Sequence, residues 1–356
     1  MIATLISLYA AGTLAFSDTT ATSPHTMPWN DQTALEATPV PVKDPAEIAP
    51  VIKAKAAIAV DLKNGLILYE KNIHQSLPIA SLTKLMTVVI ILEENNLKDV
   101  AEVSRKTSQT EGSKIWLAPG EKITVENLLY GALINSANDA AMALAEFNSD
   151  SIDKFVEKMN ERARDLGLIA TTFVNPTGLI NPPEPANGQA VNTGGSSGNQ
   201  SDGSASQRAS IQIIDTSQNL TQETLQSADS PAALLGIDNV QNPSQNYSTA
   251  YDLTLIARYA YGKSFVRRAV VKKEMEITSV NGKTTHKLKN TNELLNSYLN
   301  VLGLKTGTTD EAGECLIAII ENEQGHDILT VVLNSPSRYS ETKILADWVF
   351  RAYKWN

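Results

Sequence analysis

Between Leu82 and Glu94 the chain reads LTKLMTVVIILEE, and Leu, Met, Val and Ile fall on nearly every face of the helix that this run predicts. A helix without a polar side cannot lie on a surface. It has to be enclosed, and enclosure requires further layers of secondary structure around it. With 356 residues, 42% of them apolar, the chain can supply those layers as one large domain or two ordinary ones. Lys84 sits in the first turn of the run, so whatever encloses the helix carries a lysine inward.

The surrounding segments indicate what the layers are. AAIAVDLKNGLILYEKN is two β-rich runs about Asn64-Gly65, a strong hairpin signal, and ECLIAIIENEQGHDILTVVLN is two more about Gln324-Gly325. Between them, TVENLLYGALI, DAAMALAEF and YSTAYDLTLIARYAYG carry helical patterns, and ETKILADWVFRAY closes the chain as an amphipathic helix. Strands thus lie at both ends of the ordered chain, with helices between. The economical packing is α+β: the first hairpin joins the last strands in one antiparallel sheet, covered by helices.

Two stretches do not fit this pattern. Residues 18–52, rich in Thr, Pro, Ala and Asp, read as a linker, with order expected from about Lys53. Residues 181–246, dominated by Ser, Gly, Gln, Asn and Thr, read as a low-complexity insertion in a domain spanning 53–356. Its apolar islands IQII and AALLGI also fit a partly ordered lid. Residues 1–17 are apolar but too short to span a bilayer, and resemble the hydrophobic part of a secretory signal. No Lys or Arg precedes Lys43, so either the true start lies upstream or the signal is a weak one; a cytoplasmic leader is the alternative.

Charge and composition exclude several functions. The net charge of −9, with no Lys/Arg run, speaks against nucleic acid. The four histidines are scattered without ligand spacing, so neither a metal nor any other cofactor is expected. Cys315, the single cysteine, rules out an internal disulfide.

Ser-x-x-Lys occurs three times, at Ser81/Lys84, Ser151/Lys154 and Ser340/Lys343, and each serine fits a helix cap or a first-turn position. Ser81 differs in opening the enclosed helix. Residues three apart share a helix face at about 5–6 Å, within reach for a base to take a hydroxyl proton. A lysine does this only when neutral, which desolvation or a neighbouring cation promotes. Ser-x-Asn recurs at Ser136, Ser197, Ser217, Ser244 and Ser279, but only Ser136-Ala137-Asn138 joins two apolar helices, where polar side chains are otherwise a cost. Lys305-Thr306-Gly307 ends the run LNVLGLKTGTT and offers a cation, a hydroxyl and a glycine that admits a ligand to the backbone. GGSSG matches Gly-x-Ser-x-Gly without the preceding strand that motif needs, and Asn290-Thr291-Asn292-Glu293 reads as a helix cap.

Ser-x-x-Lys, Ser-x-Asn and Lys-Thr-Gly in this order are the active-site set of penicillin-binding proteins and serine β-lactamases. The stretches PIASLTKLMT, GALINSANDAAMALAE, TTFVNPTGL, YSTAYDL and NTNELLNSYLNVLGLKTGTTDEAGECL resemble the low-molecular-mass penicillin-binding proteins of the D-alanyl-D-alanine carboxypeptidase type. The resemblance implies a three-layer transpeptidase-like fold beside a helical subdomain. It implies Ser81 as nucleophile, Lys84 as base, Ser136 as proton relay to the leaving amine, and Asn138 holding Lys84 and the substrate amide. Lys305, Thr306, Gly307 and Thr308 would form the carboxylate-binding strand, assisted by Arg338, with the N–H groups of Ser81 and Thr308 as oxyanion hole. Peptidoglycan stem peptides would be the substrates and β-lactams the inhibitors, in an extracytoplasmic enzyme touching membrane only through an uncleaved N-terminal segment.

Some features depart from the family or leave rivals open. Thr177 stands where the family often has histidine, and the chain reaches Asn356 without the C-terminal β-domain many members carry. TTFVNPTG holds no carboxylate to activate water as a β-lactamase does, so a slowly hydrolysed penicilloyl adduct is expected. An endopeptidase would use the same residues, and an inactive peptidoglycan-binding scaffold is the non-enzymatic alternative.

Overall fold

The computed structural model describes residues 40–180 and 244–355. Ala56–Asp61 (β1) and Ile67–Lys71 (β2) form the hairpin expected at Asn64-Gly65, with Gly65 at φ +75° in the turn. Asn300–Thr309 (β3), Gly313–Glu321 (β4) and Asp327–Ser335 (β5) complete a five-stranded antiparallel sheet in the order β3-β4-β5-β1-β2. Leu329 of β5 pairs with Val60 of β1, which joins the two ends of the chain as the pattern required.

Successive side chains of a strand enter opposite faces of the sheet, and here both faces are buried. Ala56, Ile58 and Val60 of β1 and Cys315, Ile317 and Ile319 of β4 pack into one core, whereas Ala57, Ala59, Leu316, Ala318 and Ile320 pack into the other. This is why the strands read as nearly continuous apolar runs.

The larger core holds the enclosed helix, Lys84–Glu94 (α1), whose residues from Lys84 to Ile91 are all buried. Each fully buried Val, Leu, Ile or Met of this kind stabilises the fold by roughly 1.5–3 kcal/mol relative to exposure. Around it stand Val125–Ile134 (α2), Asn138–Asn148 (α3), Ile152–Asp165 (α4), Ala250–Gly262 (α5) and Ser264–Val270 (α6). Helix α5 touches α1 on one side and β1 and β5 on the other. The opposite face is covered by Arg338–Ala352 (α7), which buries Leu345, Ala346, Trp348 and Val349 against it. No helix among the described residues is long and apolar enough to cross a membrane.

The boundaries differ from those expected in two places. Val42–Lys43 pairs antiparallel with Tyr353–Lys354, and Ile52 is buried, so the chain is docked well before Lys53; the rest of the 18–52 stretch, to residue 39, lies outside the described residues. The insertion reading at 181–246 runs too far at its end. Asn246 is buried, and Tyr247–Ser248 pairs with Leu77–Pro78, while 181–243 lie outside the described residues.

Candidate active site

The chain enters α1 through a 3-10 turn, Ala80–Thr83, that carries Ser81. Ala80 is held at φ +45°, an unfavourable value for a residue with a Cβ. Ser81 does not cap the helix, as its spacing suggested: neither the turn nor α1 has a side-chain cap at its N-terminus. The hydroxyl faces Lys84 instead, with Oγ 2.8 Å from Nζ. Two glycines permit this turn its position. A Cβ on Gly178 would lie 1.9 Å from the Ala80 carbonyl oxygen, and one on Gly307 would lie 2.9 Å from the Ile79 oxygen. The Gly307 position is also 3.1 Å from the Ser81 nitrogen, which sets the end of β3 beside the Ser81 N–H.

Lys84 is fully buried. Its Nζ lies 2.6 Å from Asn138 Oδ1, 2.8 Å from the Thr177 carbonyl oxygen and 2.8 Å from Ser81 Oγ. The first two partners only accept, whereas a hydroxyl both donates and accepts. A neutral amine has two N–H groups and one lone pair, and fits this trio with the lone pair toward the Ser81 hydroxyl. Burial pushes the Lys84 pKa well below its usual value, and the nearby Lys305 charge pushes it further; the Asp139 carboxylate opposes both. Desolvation penalises the ammonium because a buried charge loses its hydration.

Lys305, on β3, is the second buried lysine. Its Nζ donates to Ser136 Oγ at 2.7 Å and to the Thr306 carbonyl at 2.8 Å, and burial, with Arg338 beside it, lowers its pKa to about 7. Ser136 sits at the joint between α2 and α3 with φ +55°. Arg338, at the start of α7, donates from Nη1 to the Gly307 carbonyl at 3.0 Å and to Thr308 Oγ1, while its Nε is shielded from solvent and has no acceptor. The Thr306 hydroxyl is buried against Thr291 Oγ1 at 2.7 Å, so it is engaged within the protein. Ser81, Lys84, Ser136, Asn138, Lys305 and Gly307 thus lie together where the edge strand β3 meets the helical block, while the Thr306 and Thr308 side chains leave the other side of the strand, toward Thr291 and Arg338.

Several contributors carried no sequence signal. The Thr177 carbonyl, an acceptor for Lys84, is a backbone group. It is placed by Asn175, whose Oδ1 accepts from Thr177 N, Thr177 Oγ1 and Gly178 N. Asn246, from the stretch read as insertion, accepts from Val174 N and donates to Thr83 Oγ1, tying that loop to the Ser81 turn. Asp139 is fully buried; the Ser-x-Asn motif ends one residue before it.

An enclosed lysine against the Ser81 hydroxyl, a second buried lysine bonded to Ser136 and a guanidinium at the end of β3 form an arrangement that can support attack by a serine hydroxyl with a lysine as its base. Residues 43–337 match the D-alanyl-D-alanine carboxypeptidase family, peptidase family S11, and the chain belongs to it. It is 29% identical to D-alanyl-D-alanine carboxypeptidase DacF of Bacillus subtilis, over 85% of this chain and 63% of that protein. It is likewise 29% identical to the D-alanyl-D-alanine carboxypeptidase of Streptomyces sp. K15, over 83% of this chain and 87% of that one. A D-alanyl-D-alanine endopeptidase of Pseudomonas aeruginosa is 27% identical over 80% of this chain and 72% of its own. The crystal structure of the Streptomyces K15 DD-transpeptidase superposes with a TM-score of 0.63 at 27% identity, covering 85% of this chain and 99% of that one. The chain therefore has the transpeptidase-like fold, and spans under two thirds of the length of the Bacillus relative.

Proposed function

We propose that the chain is a serine-type D-alanyl-D-alanine carboxypeptidase that trims peptidoglycan stem peptides outside the cytoplasm and is acylated by β-lactams. The observation that carries this reading is the Lys84 amine, buried with two obligate acceptors and the Ser81 hydroxyl as its third neighbour. In this reading Ser81 Oγ attacks the carbonyl carbon joining the last two D-alanines, and its proton passes to the Lys84 lone pair. The oxyanion meets the N–H groups of Ser81 and Thr308, donors of a kind whose loss typically costs about 10²–10³ in rate. The C–N bond breaks as Ser136 gives a proton to the leaving amine and recovers one from Lys84. Water then attacks the ester, with Lys84 again as base, and frees Ser81. Lys305, Thr308 and Arg338 hold the terminal carboxylate, with Gly307 admitting it to the strand; Thr306 contributes once its hydroxyl leaves Thr291. Any membrane contact would be through residues 1–17 where they are retained.

Time-resolved intact mass spectrometry with benzylpenicillin tests this. The wild type should hold a long-lived penicilloyl adduct that Ser81→Ala lacks, and should release D-alanine from a pentapeptide ending in D-alanyl-D-alanine. Rapid turnover of penicillin would make the protein a β-lactamase, and neither adduct nor consumption would make it a scaffold. Because the endopeptidase reading uses the same residues, release from cross-linked and uncross-linked muropeptides separates the two.

A further inference from the structure

Among the described residues, five that are not glycine have positive φ: Asn72, Ala80, Trp116, Ser136 and Asn334. Asparagine tolerates this region. Of the other three, Ala80 adjoins Ser81 and Ser136 belongs to the cleft. Trp116, at φ +64°, is the third, and the residue is 75% exposed. A bulky residue kept in a strained conformation and then left in solvent gains little folding energy from its ring.

The strain is imposed by buried polar groups on both sides of Trp116. Asp139 accepts from Ile115 N and Leu117 N, the residues either side, and both of their side chains are buried. The Ile115 carbonyl is held by His286 Nδ1 at 2.8 Å, and His286 Nε2 is 2.7 Å from Glu121 Oε1, in a pair shielded from solvent. The segment leading to Trp116 is also tied to the catalytic turn. Asn138 Nδ2 donates to the Glu111 carbonyl and Asn138 N to the Ser113 carbonyl, while Ser113 Oγ donates to the Asn135 carbonyl. Residues 111–117 therefore form the rim beside Ser136 and Asn138. There the indole stands with one face under the Lys114 ammonium, 4.6 Å from the ring centroid.

We propose that Trp116 and Lys114 are a substrate-contacting platform that reads the peptide upstream of the D-alanyl-D-alanine terminus, taking an alkyl side chain against the indole and a carboxylate at the ammonium. This rests on the reading of the cleft given above and names the part of its substrate that decides affinity. An indole offers a large rigid apolar surface at little cost in rotamer entropy, and a cation already stacked on it is held where an anion approaches.

The test measures binding apart from chemistry. In a Ser81→Ala background, calorimetry gives dissociation constants for N-acetyl-D-alanyl-D-alanine and for a pentapeptide with the same terminus and an acidic residue upstream. The pentapeptide is expected to bind about tenfold tighter, and Trp116→Gly to remove that advantage while leaving the short peptide within about twofold. Glycine relieves the positive φ, so this variant should melt no lower than its parent, and Trp116→Phe should keep most of the preference. Lys114→Met should weaken the acidic pentapeptide but not its amidated counterpart. An unchanged preference in Trp116→Gly, or an equal loss for both peptides, overturns the proposal. Separately, if both peptides bind but Ser81-intact protein releases no D-alanine, the carboxypeptidase reading fails and the platform stands. If neither binds, both fall.

Discussion

Ser81/Lys84 and Ser151/Lys154 have the same residues at the same spacing at the start of a helix, and their physical states are opposite. Ser151 caps α4, accepting from Lys154 N at 3.2 Å, and Lys154 lies in solvent, paired with Asp150, a contact that raises its pKa. Ser81 caps nothing, and Lys84 is enclosed and driven toward neutrality. In the first pair the serine satisfies the backbone and the lysine stays hydrated. In the second the backbone is bent so that the side chains satisfy each other. The difference is burial first, and then the Lys305 charge nearby, both of which favour the neutral amine.

The largest expected effect that separates the pairs is on acylation. Lys84→Met should slow penicilloyl formation by about 10²–10⁴-fold, the usual worth of a positioned base, whereas Lys154→Met leaves it unchanged. Stability should move the other way. With the folded pKa depressed, the unfolded chain binds the extra proton at every pH between the folded value and the ordinary lysine value. Stability therefore rises with pH across that window, and Lys84 is a net cost at neutral pH. Lys84→Met is thus expected to raise the urea midpoint at pH 7 while abolishing function. A lowered midpoint would mean the buried lysine is a structural tie.

The glycines near the two pairs differ as well. Gly167, just past α4, has φ +72° with open space around its Cβ position, so Gly167→Ala should cost only about 1 kcal/mol of backbone strain. Gly178 adds to φ +85° a collision with the Ala80 carbonyl. Gly178→Ala should cost at least roughly 1–3 kcal/mol more in urea denaturation and displace the Ser81 turn, with slower acylation. Equal losses at both sites would show that the turn yields.

Smaller still is the capping difference. Ser151→Ala should lose about 1 kcal/mol, and Ser81→Ala only a few tenths, since no helix N–H depends on it. The smallest effect is in pH. Lys305 in the free site loses its charge around pH 7, so the KM for a substrate with a terminal carboxylate should climb as pH rises above that value. Acylation by an esterified, uncharged β-lactam should escape this climb. An equal loss for both would show that the titrating group does not act through the carboxylate.

Much of the architecture could be read from residue order. The hairpins at Asn64-Gly65 and Gln324-Gly325, the enclosed helix, and the Asn292 cap, whose Oδ1 accepts from Leu294 N, follow from local pattern and turn chemistry. What escaped has no local signature. The Thr177 carbonyl is a backbone atom common to every residue. Asn246 sits at the end of a low-complexity stretch and is recruited across 163 positions to Thr83. Asp139 looks like an ordinary first-turn helix acid until Ile115 and Leu117 are brought to it.

The antiparallel sheet, the apolar helix that must be enclosed, and the order of Ser-x-x-Lys, Ser-x-Asn and Lys-Thr-Gly belong to the chain before it folds. All of these are set by periodicity and spacing along the chain. Folding added the loss of water around Lys84, the backbone carbonyl that completes its shell, and the exposed tryptophan held at positive φ. Desolvation, electrostatic coupling and close backbone approach depend on segments far apart in sequence. They come into existence only when the helical block closes over the edge of β3.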